Sequence, residues 1–195
     1  MTFKLGIIIG HTNAQGGAVG IGLPREYDYH KQMAADMLSF AQSEFGGSGL
    51  EARIFFRDGI GVSGAYGQVN EWVGTGAARS ATVELHYNAA SPSASGTETL
   101  SSGSAKSVAL ANLVQAGLCT LLGRPGHSRG VKIRNRTHKD RGWLSLVSGK
   151  PPAILTEPAF GSNAQDATLL KTKQLLIGRE IVRRCKRYFD EEVGN

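Results

Sequence analysis

The sequence predicts an α/β fold, in which one domain has a mostly parallel central sheet with helices on both of its faces. Short apolar runs alternate with longer segments whose apolar residues recur at helical spacing. The alternation continues along all 195 residues, a length that suits one domain with a sizeable core. Strands that alternate with helices form parallel sheets, because each helix returns the chain to the starting edge.

The strands are predicted from short apolar runs that turn-forming residues delimit. The first run is typical of a buried strand, since it is mostly apolar and alternates little. A further short strand is expected within a basic segment, at the letters "WLSLV". The predicted strands are 3–9, 51–57, 81–86, 96–100, 143–147 and 152–157.

The helices are predicted from apolar residues at a spacing of three and four. Pro24 suits the first position of a helix, where a backbone N–H has no partner within the helix. That helix is expected to end at Phe45, because the letters "GGSG" follow. The other predicted helices are 65–79, which is the weakest, 105–122 and 172–191.

Positive charge is concentrated in one segment of the chain. Residues 123–150 contain eight Lys and Arg and one Asp, a local charge of +7 against +6 for the whole chain. Such a segment attracts acidic partners, or it is simply a solvated loop. Nucleic acid is not expected as the partner, because Trp143 is the segment's one aromatic residue and no nucleic-acid motif is visible.

The sequence also limits where the protein acts. Its apolar runs are far shorter than the roughly 18 residues of a membrane-spanning helix, so no integral membrane segment is expected. The first apolar run leads into a histidine instead of a cleavage site, which predicts a chain without an export signal that is cytoplasmic on synthesis. Cys119 and Cys185 lack CxxC spacing and are expected to be buried thiols.

Four residues with reactive side chains lie at the ends of predicted elements. His11, His86 and Glu157 each end or follow a predicted strand, and Glu26 is near the start of the first helix. Ligand sites in α/β folds gather where parallel strands end, so these residues are expected on one edge of the sheet. Two imidazoles and one carboxylate can bind zinc with a position left for water, and another carboxylate can act as general base.

Each of these residues also has an ordinary structural interpretation. A histidine can form hydrogen bonds in a Gly-rich turn or in the core, and a carboxylate at a helix start is favoured by the helix dipole. His30 is a competing ligand, because it lies one turn after Glu26 on the same face of the predicted helix. His127 and His138, in the basic segment, are expected to be exposed, and His138 is also a candidate substrate contact.

With their surroundings, these residues resemble the zinc-dependent N-acetylmuramoyl-L-alanine amidases, the catalytic domain of bacterial cell-separation amidases and many phage endolysins. The resemblance extends over nearly the whole chain, and its last motif and its histidine-asparagine motif are the specific ones. The matching segments are Gly10 and His11 with Gly16 and Gly17, Glu26, "FFRD" (55–58), "ELHYNAA" (84–90), "GTETL" (96–100) and "PAILTEPAFGSN" (152–163).

The resemblance implies one zinc ion per chain, held by His11, Glu26 and His86, with Glu157 as the catalytic carboxylate. It implies cleavage of the amide between N-acetylmuramic acid and the L-alanine of the stem peptide, so peptidoglycan is the expected partner. The whole chain, 1–195, is expected to be one catalytic domain without a separate wall-binding domain, as in a phage-type lysin that reaches the wall after release. The candidate substrate contacts are Asn88, Arg134, Arg136 and His138.

The sequence departs from the family pattern at two places. Around the Gly-His pair, Ile8 and Ile9 precede where the family usually has Asp-Pro, and Thr12 and Asn13 follow where it has two glycines. Before the second histidine, Glu84 replaces a serine. Strand alternation places Glu84 on the face of His86, either as a partner of the histidine N–H or as an ordinary polar residue. The alternative functions are a zinc carboxypeptidase or other amidohydrolase, and a non-catalytic module that binds wall glycopeptide.

Overall fold

The computed structural model describes residues 2–134 and 141–193. Its strands are β1 (Phe3–Ile9), β2 (Leu50–Phe55), β3 (Ser80–Leu85), β4 (Thr97–Ser101), β5 (Ser128–Ile133) and β6 (Ala153–Glu157). Its α-helices are α1 (Glu26–Phe45), α2 (Gly61–Val73), α3 (Ala105–Leu121), α4 (Trp143–Val147) and α5 (Ala164–Tyr188).

The strands form one six-stranded sheet in the order β2-β1-β3-β6-β4-β5. The first four strands in this order run parallel. The last two run parallel to each other but antiparallel to the rest, because β4 pairs with β6 in the opposite direction. The prediction of a mostly parallel α/β sheet is therefore confirmed.

Helices cover both faces of the sheet. On one face, Leu5, Ile7 and Ile9 of β1 join a large buried cluster with residues of α1, α3 and α5. On the other face, Ile8 of β1 packs in a smaller cluster with residues of α2. Alternate residues of β1 are thus buried on opposite faces, which explains why this strand is apolar with little alternation.

The segment 143–147 is helix α4, so the strand predicted there is wrong. A short apolar run does not distinguish a strand from a buried helical turn by periodicity. Leu146 of this helix is buried in a small cluster with Leu100 and Leu155, which gives the run its apolar character. Strand β5 lies at 128–133, where the sequence has no apolar run and no strand was predicted. Its partly exposed, basic residues are suited to the edge of a sheet.

Two helices begin earlier than their apolar residues indicate. α5 begins at Ala164, where the Asn163 side chain accepts hydrogen bonds from the backbone N–H groups of Gln165 and Asp166. α2 begins at Gly61 and gives way after Val73 to a 3₁₀ segment. None of the helices in the described residues has the length and apolar character that crossing a membrane requires.

Candidate active site

Three predicted site residues meet at the carboxyl edge of the parallel strands. His11 lies two residues after β1, His86 directly follows β3, and Glu26 is the first residue of α1. β1 and β3 are neighbours in the sheet, so their ends bring the two imidazole rings within 4.8 Å of each other, centroid to centroid. The strand order therefore brings into contact two histidines that are 75 positions apart in the sequence.

The backbone around the histidines is shaped to admit their rings. His11 has a φ of +66°, in the left-handed region that non-glycine residues seldom adopt. A Cβ atom on Gly10 would lie 2.4 Å from Cε1 of His86, and one on Gly17 would lie 2.5 Å from Cδ2 of His11. Glycine is required at both positions because the two rings occupy the space that a side chain would fill.

Glu26 connects the two histidines. Its Oε2 lies 3.2 Å from Nε2 of His11, and its Oε1 lies 2.8 Å from Nδ1 of His86. Backbone N–H groups of Ala18 and Tyr87 also donate to this carboxylate. Burial alone would raise the pKa of Glu26, but hydrogen bonds from both histidines outweigh it and hold the pKa well below its usual range.

The donor atoms of His11, Glu26 and His86 all lie within 4.8 Å of one another. Two imidazole nitrogens and a carboxylate oxygen are the ligands found in catalytic zinc sites that keep one position open. The Glu26 side chain is 4% exposed and that of His11 is 29% exposed, so the cluster is closed below and open towards solvent. The residues therefore fit a zinc ion by their chemistry and by their spacing.

The second nitrogen of His86 faces another carboxylate. Nε2 lies 3.0 Å from Oε1 of Glu84, a fully buried residue of β3. Burial lowers the pKa of His86, but the carboxylates of Glu26 and Glu84 on either side outweigh it and raise the pKa to about 10. The imidazole is thus held between two acidic groups, one towards the cluster and one below it.

Glu157 ends β6, the strand next to β3, and faces the same cleft. Across the sheet it is paired in register with Glu98 of the antiparallel strand β4. Burial and repulsion by Glu98 raise the pKa of Glu157, although the charge of His86 acts in the opposite direction. A carboxylate whose pKa is raised towards neutral pH is suited to accept a proton from water and to give it back.

Comparison with known proteins decides the family. The family model described as N-acetylmuramoyl-L-alanine amidase (Amidase_3) matches residues 69–185, more than half of the chain. The chain belongs to this amidase family. The matched region contains His86 and Glu157, while His11 and Glu26 lie before it.

Solved structures show the same fold over nearly the whole chain. An N-acetylmuramoyl-L-alanine amidase from Clostridium difficile 630 has 20% identity and a TM-score of 0.81, with 98% of each chain covered. The catalytic domain of CwlV from Bacillus (Paenibacillus) polymyxa has 24% identity and a TM-score of 0.78, covering 97% of this chain and 99% of that one. The catalytic domain of the CD27L endolysin, which targets Clostridia difficile, has 24% identity and a TM-score of 0.71, covering 95% and 97%. A sequence search finds no curated protein that matches the chain.

The cluster of His11, Glu26 and His86 lies in a cleft of about 980 Å³. Of the predicted substrate contacts, Asn88 and Arg134 line this cleft, and Arg136 and His138 lie outside the described residues. The Nδ2 of Asn88 donates to Oε1 of Glu98 at 2.9 Å, so this amide also positions a neighbouring carboxylate. Arg141 lines the cleft as well, which places two charges of the basic segment beside the cluster.

His30, the competing ligand, lies outside the cluster. It is fully buried on α1 and packs against the rings of Tyr29 and Tyr87. Burial lowers its pKa to about 3, so the ring is neutral at ordinary pH. The helical spacing placed His30 near Glu26, but its side chain points into the core. His127 is exposed, as expected, with Nδ1 3.3 Å from an Arg124 nitrogen.

Three residues that support the site were not singled out by the sequence: Arg57 and Glu98 line the cleft, and Tyr66 is buried beneath it. Glu98 lies beside Glu157, and Arg57 and Tyr66 both contact Glu84. Arg57 and Glu98 belong to the segments "FFRD" and "GTETL", which carry the family resemblance. Their place in these segments is the sequence feature from which a role in the site could have been inferred. The ring of Tyr66 lies on α2 at a buried helical position that is indistinguishable in sequence from an ordinary core residue.

Proposed function

We propose that the protein is a zinc-dependent N-acetylmuramoyl-L-alanine amidase that hydrolyses the amide between N-acetylmuramic acid and L-alanine in peptidoglycan. The observation that carries this proposal is the meeting of His11, Glu26 and His86 in one cleft that Glu157 also faces. Two imidazoles with one carboxylate, and a further carboxylate nearby, are the parts that hydrolysis of an amide by a zinc enzyme requires.

Nε2 of His11, a carboxylate oxygen of Glu26 and Nδ1 of His86 would hold one zinc ion per chain. When bound, zinc polarises the scissile carbonyl and makes water a nucleophile near neutral pH. Two backbone N–H groups already hold the Glu26 carboxylate, so it would need only a small rearrangement to enter the ligand set. The pre-formed cluster would therefore bind the ion with little loss of conformational freedom.

Glu157 would accept a proton from the attacking water and return it to the amine of L-alanine as that group leaves. This role needs a carboxylate that is ionised before attack and protonated after it, and a raised pKa favours both states near neutral pH. Glu98 is less suited to it, because its oxygens are bound by Arg129 at 2.6 Å and by Asn88 at 2.9 Å. The two carboxylates thus have separate tasks.

Digestion of purified peptidoglycan tests the activity. We expect new free amino groups of L-alanine without new reducing sugars, together with about one zinc per chain by elemental analysis. The matched control is Glu157→Gln loaded with zinc, which should bind the wall and release product at least about 100-fold more slowly than the parent. Release of C-terminal amino acids would indicate a carboxypeptidase instead, and binding without any product by the parent would indicate a non-catalytic module.

We also propose that the protein acts as a phage-type lysin, which accumulates in the cytoplasm and reaches the wall after release. The similarity in fold to the catalytic domain of an endolysin supports this assignment. Cells that express the protein should keep a constant turbidity until their membrane is permeabilised, and then lyse. Export of the protein by intact cells, with hydrolysis of their own wall, would instead indicate a secreted amidase.

A further inference from the structure

The geometry points to Glu84 as a positioning residue that holds His86 in its metal-binding form. This inference rests on the proposed zinc site and adds a residue that lies outside the ligand set. Nδ1 of His86 faces Glu26 and the cluster, while Nε2 lies 3.0 Å from Oε1 of Glu84. A neutral imidazole carries one proton, so Nδ1 can bind a metal when the proton is on Nε2, and an acceptor at Nε2 selects that tautomer.

Glu84 is itself held in place from two directions. Nη1 of Arg57 donates to Oε1 at 2.9 Å, and the hydroxyl of Tyr66 lies 3.3 Å from Oε2. Arg57 follows β2 and Tyr66 belongs to α2, so two separate elements fix one side chain of β3. The acceptor at Nε2 therefore has a defined position, and the ring that donates to it has a defined plane.

The backbone of Gly10 also restricts the rotation of the His86 ring. The ring lies over Gly10, where a Cβ would approach within 2.4 Å of Cε1 and within 2.5 Å of Nε2. A ring enclosed by the backbone of Gly10 and by two carboxylates cannot rotate to present Nε2 to the cluster without losing both carboxylate contacts. The enclosure thus orients Nδ1 towards the donor atoms of His11 and Glu26.

Stability alone is a weak reason to bury Glu84. The side chain is 0% exposed, and a buried ion pair such as Arg57 with Glu84 usually adds little over apolar residues of similar volume. Glu84 also lies on a fully buried strand, where an apolar residue would pack without loss of solvation. The presence of a carboxylate at this buried position is better explained by its contact with His86 than by its ion pair with Arg57.

Two substitutions test the role through zinc affinity, measured by competition with a chromophoric chelator. Glu84→Gln keeps an acceptor but loses its charge, and Glu84→Met removes both. We expect zinc affinity to fall by about 10-fold and about 100-fold respectively, the range for losing such a partner. Tyr66→Phe is the matched control, because it removes a contact to Oε2 and leaves the bond from His86 in place; its loss should be smaller than either.

Thermal unfolding separates positioning from a structural role. If Glu84 positions His86, the rise in melting temperature on adding zinc should shrink in both variants, because ligand stabilisation follows affinity. If Glu84 serves stability alone, the zinc-free variants should melt lower with the parental zinc affinity, and the inference is overturned. A parent protein that binds no zinc would overturn the proposed function itself, so the two failures are distinguishable.

A measurement on the parent protein avoids the need for a folded variant. In the zinc-loaded protein labelled with ¹⁵N-histidine, NMR should show the His86 proton on Nε2, hydrogen-bonded to a carboxylate, and zinc at Nδ1. A proton on Nδ1, or zinc bound through Nε2, would overturn the assignment of Glu84 even if both variants fail to fold.

Discussion

Glu157 and Glu98 face each other across β6 and β4, and their different partners predict different responses to the same substitution. Glu157→Gln removes the proposed proton acceptor, so turnover should fall by about 100-fold or more, about 2.7 kcal/mol in activation free energy. Zinc content should stay at the parental value, because Glu157 lies outside the group of three clustered donors. The amide has nearly the volume of the carboxylate, so the fold should be retained.

Glu98→Gln should change the pH dependence of the reaction. Opposite residues in antiparallel strands lie about 5 Å apart, where two charges repel by roughly 3 kcal/mol at an effective dielectric constant of 20. That energy corresponds to about two pKa units for Glu157, and the Arg129 guanidinium beside Glu98 offsets part of it. We therefore expect the pKa of Glu157 to fall by about one unit. The base is active when ionised, so the loss of activity on acidification should move to lower pH.

The assay is kcat/KM on a soluble peptidoglycan fragment between about pH 5 and 9, with zinc content measured for each variant. Arg129→Gln is the matched control with the opposite sign, because it removes the cation that neutralises Glu98. It should move the acid limb of the profile to higher pH. Loss of zinc in Glu157→Gln would make Glu157 a ligand. A Glu98→Gln profile that stays in place or moves upward would refute the proposed repulsion.

Three further predictions concern the metal and the basic segment. His86→Ala should lose zinc and activity together, because it removes one of three ligands; elemental analysis and wall digestion check this, and parental zinc content would contradict it. Zinc affinity should rise by about tenfold per pH unit below pH 10, because the pKa of His86 is raised to about 10 and zinc must displace a proton from this ring. Calorimetry in buffers of different ionisation enthalpy should detect the proton that zinc binding releases. Arg134 and Arg141 line the cleft, and replacing both with Gln should raise KM on whole walls and weaken the salt dependence of KM. Turnover on a small uncharged substrate should change little. A salt dependence equal to the parent's would show that these charges do not contact the wall.

Much of the fold follows from local patterns in the sequence. β1, β3 and β6 were predicted to within about a residue, since each is a short apolar run with a polar residue at its end. The strand predicted at 143–147 is wrong because a short apolar run with one buried residue, here Leu146, is compatible with a strand or with a helical turn. The edge strand β5 was missed because one side of an edge strand needs no apolar residue.

Three of the four predicted site residues follow from one rule about parallel sheets, and the supporting residues do not. His11, His86 and Glu157 lie at carboxyl ends of parallel strands, so the rule for α/β sheets places them together. Arg57 also follows a strand, but its contact with Glu84 depends on the order β2-β1-β3, which no local pattern contains. The sequence therefore indicates the donor atoms more readily than the groups that orient them.

Glu98 shows most clearly why strand direction must be known before a site can be completed. It is the second residue of β4, and in an all-parallel sheet it would lie at the edge opposite the cluster. Because β4 runs antiparallel to β6, its beginning lies beside the end of β6, and Glu98 faces Glu157. β5 runs parallel to β4, so Arg129 near its start reaches the same edge and pairs with Glu98. One reversal of direction thus supplies both the charge that perturbs the proposed base and the cation that moderates it.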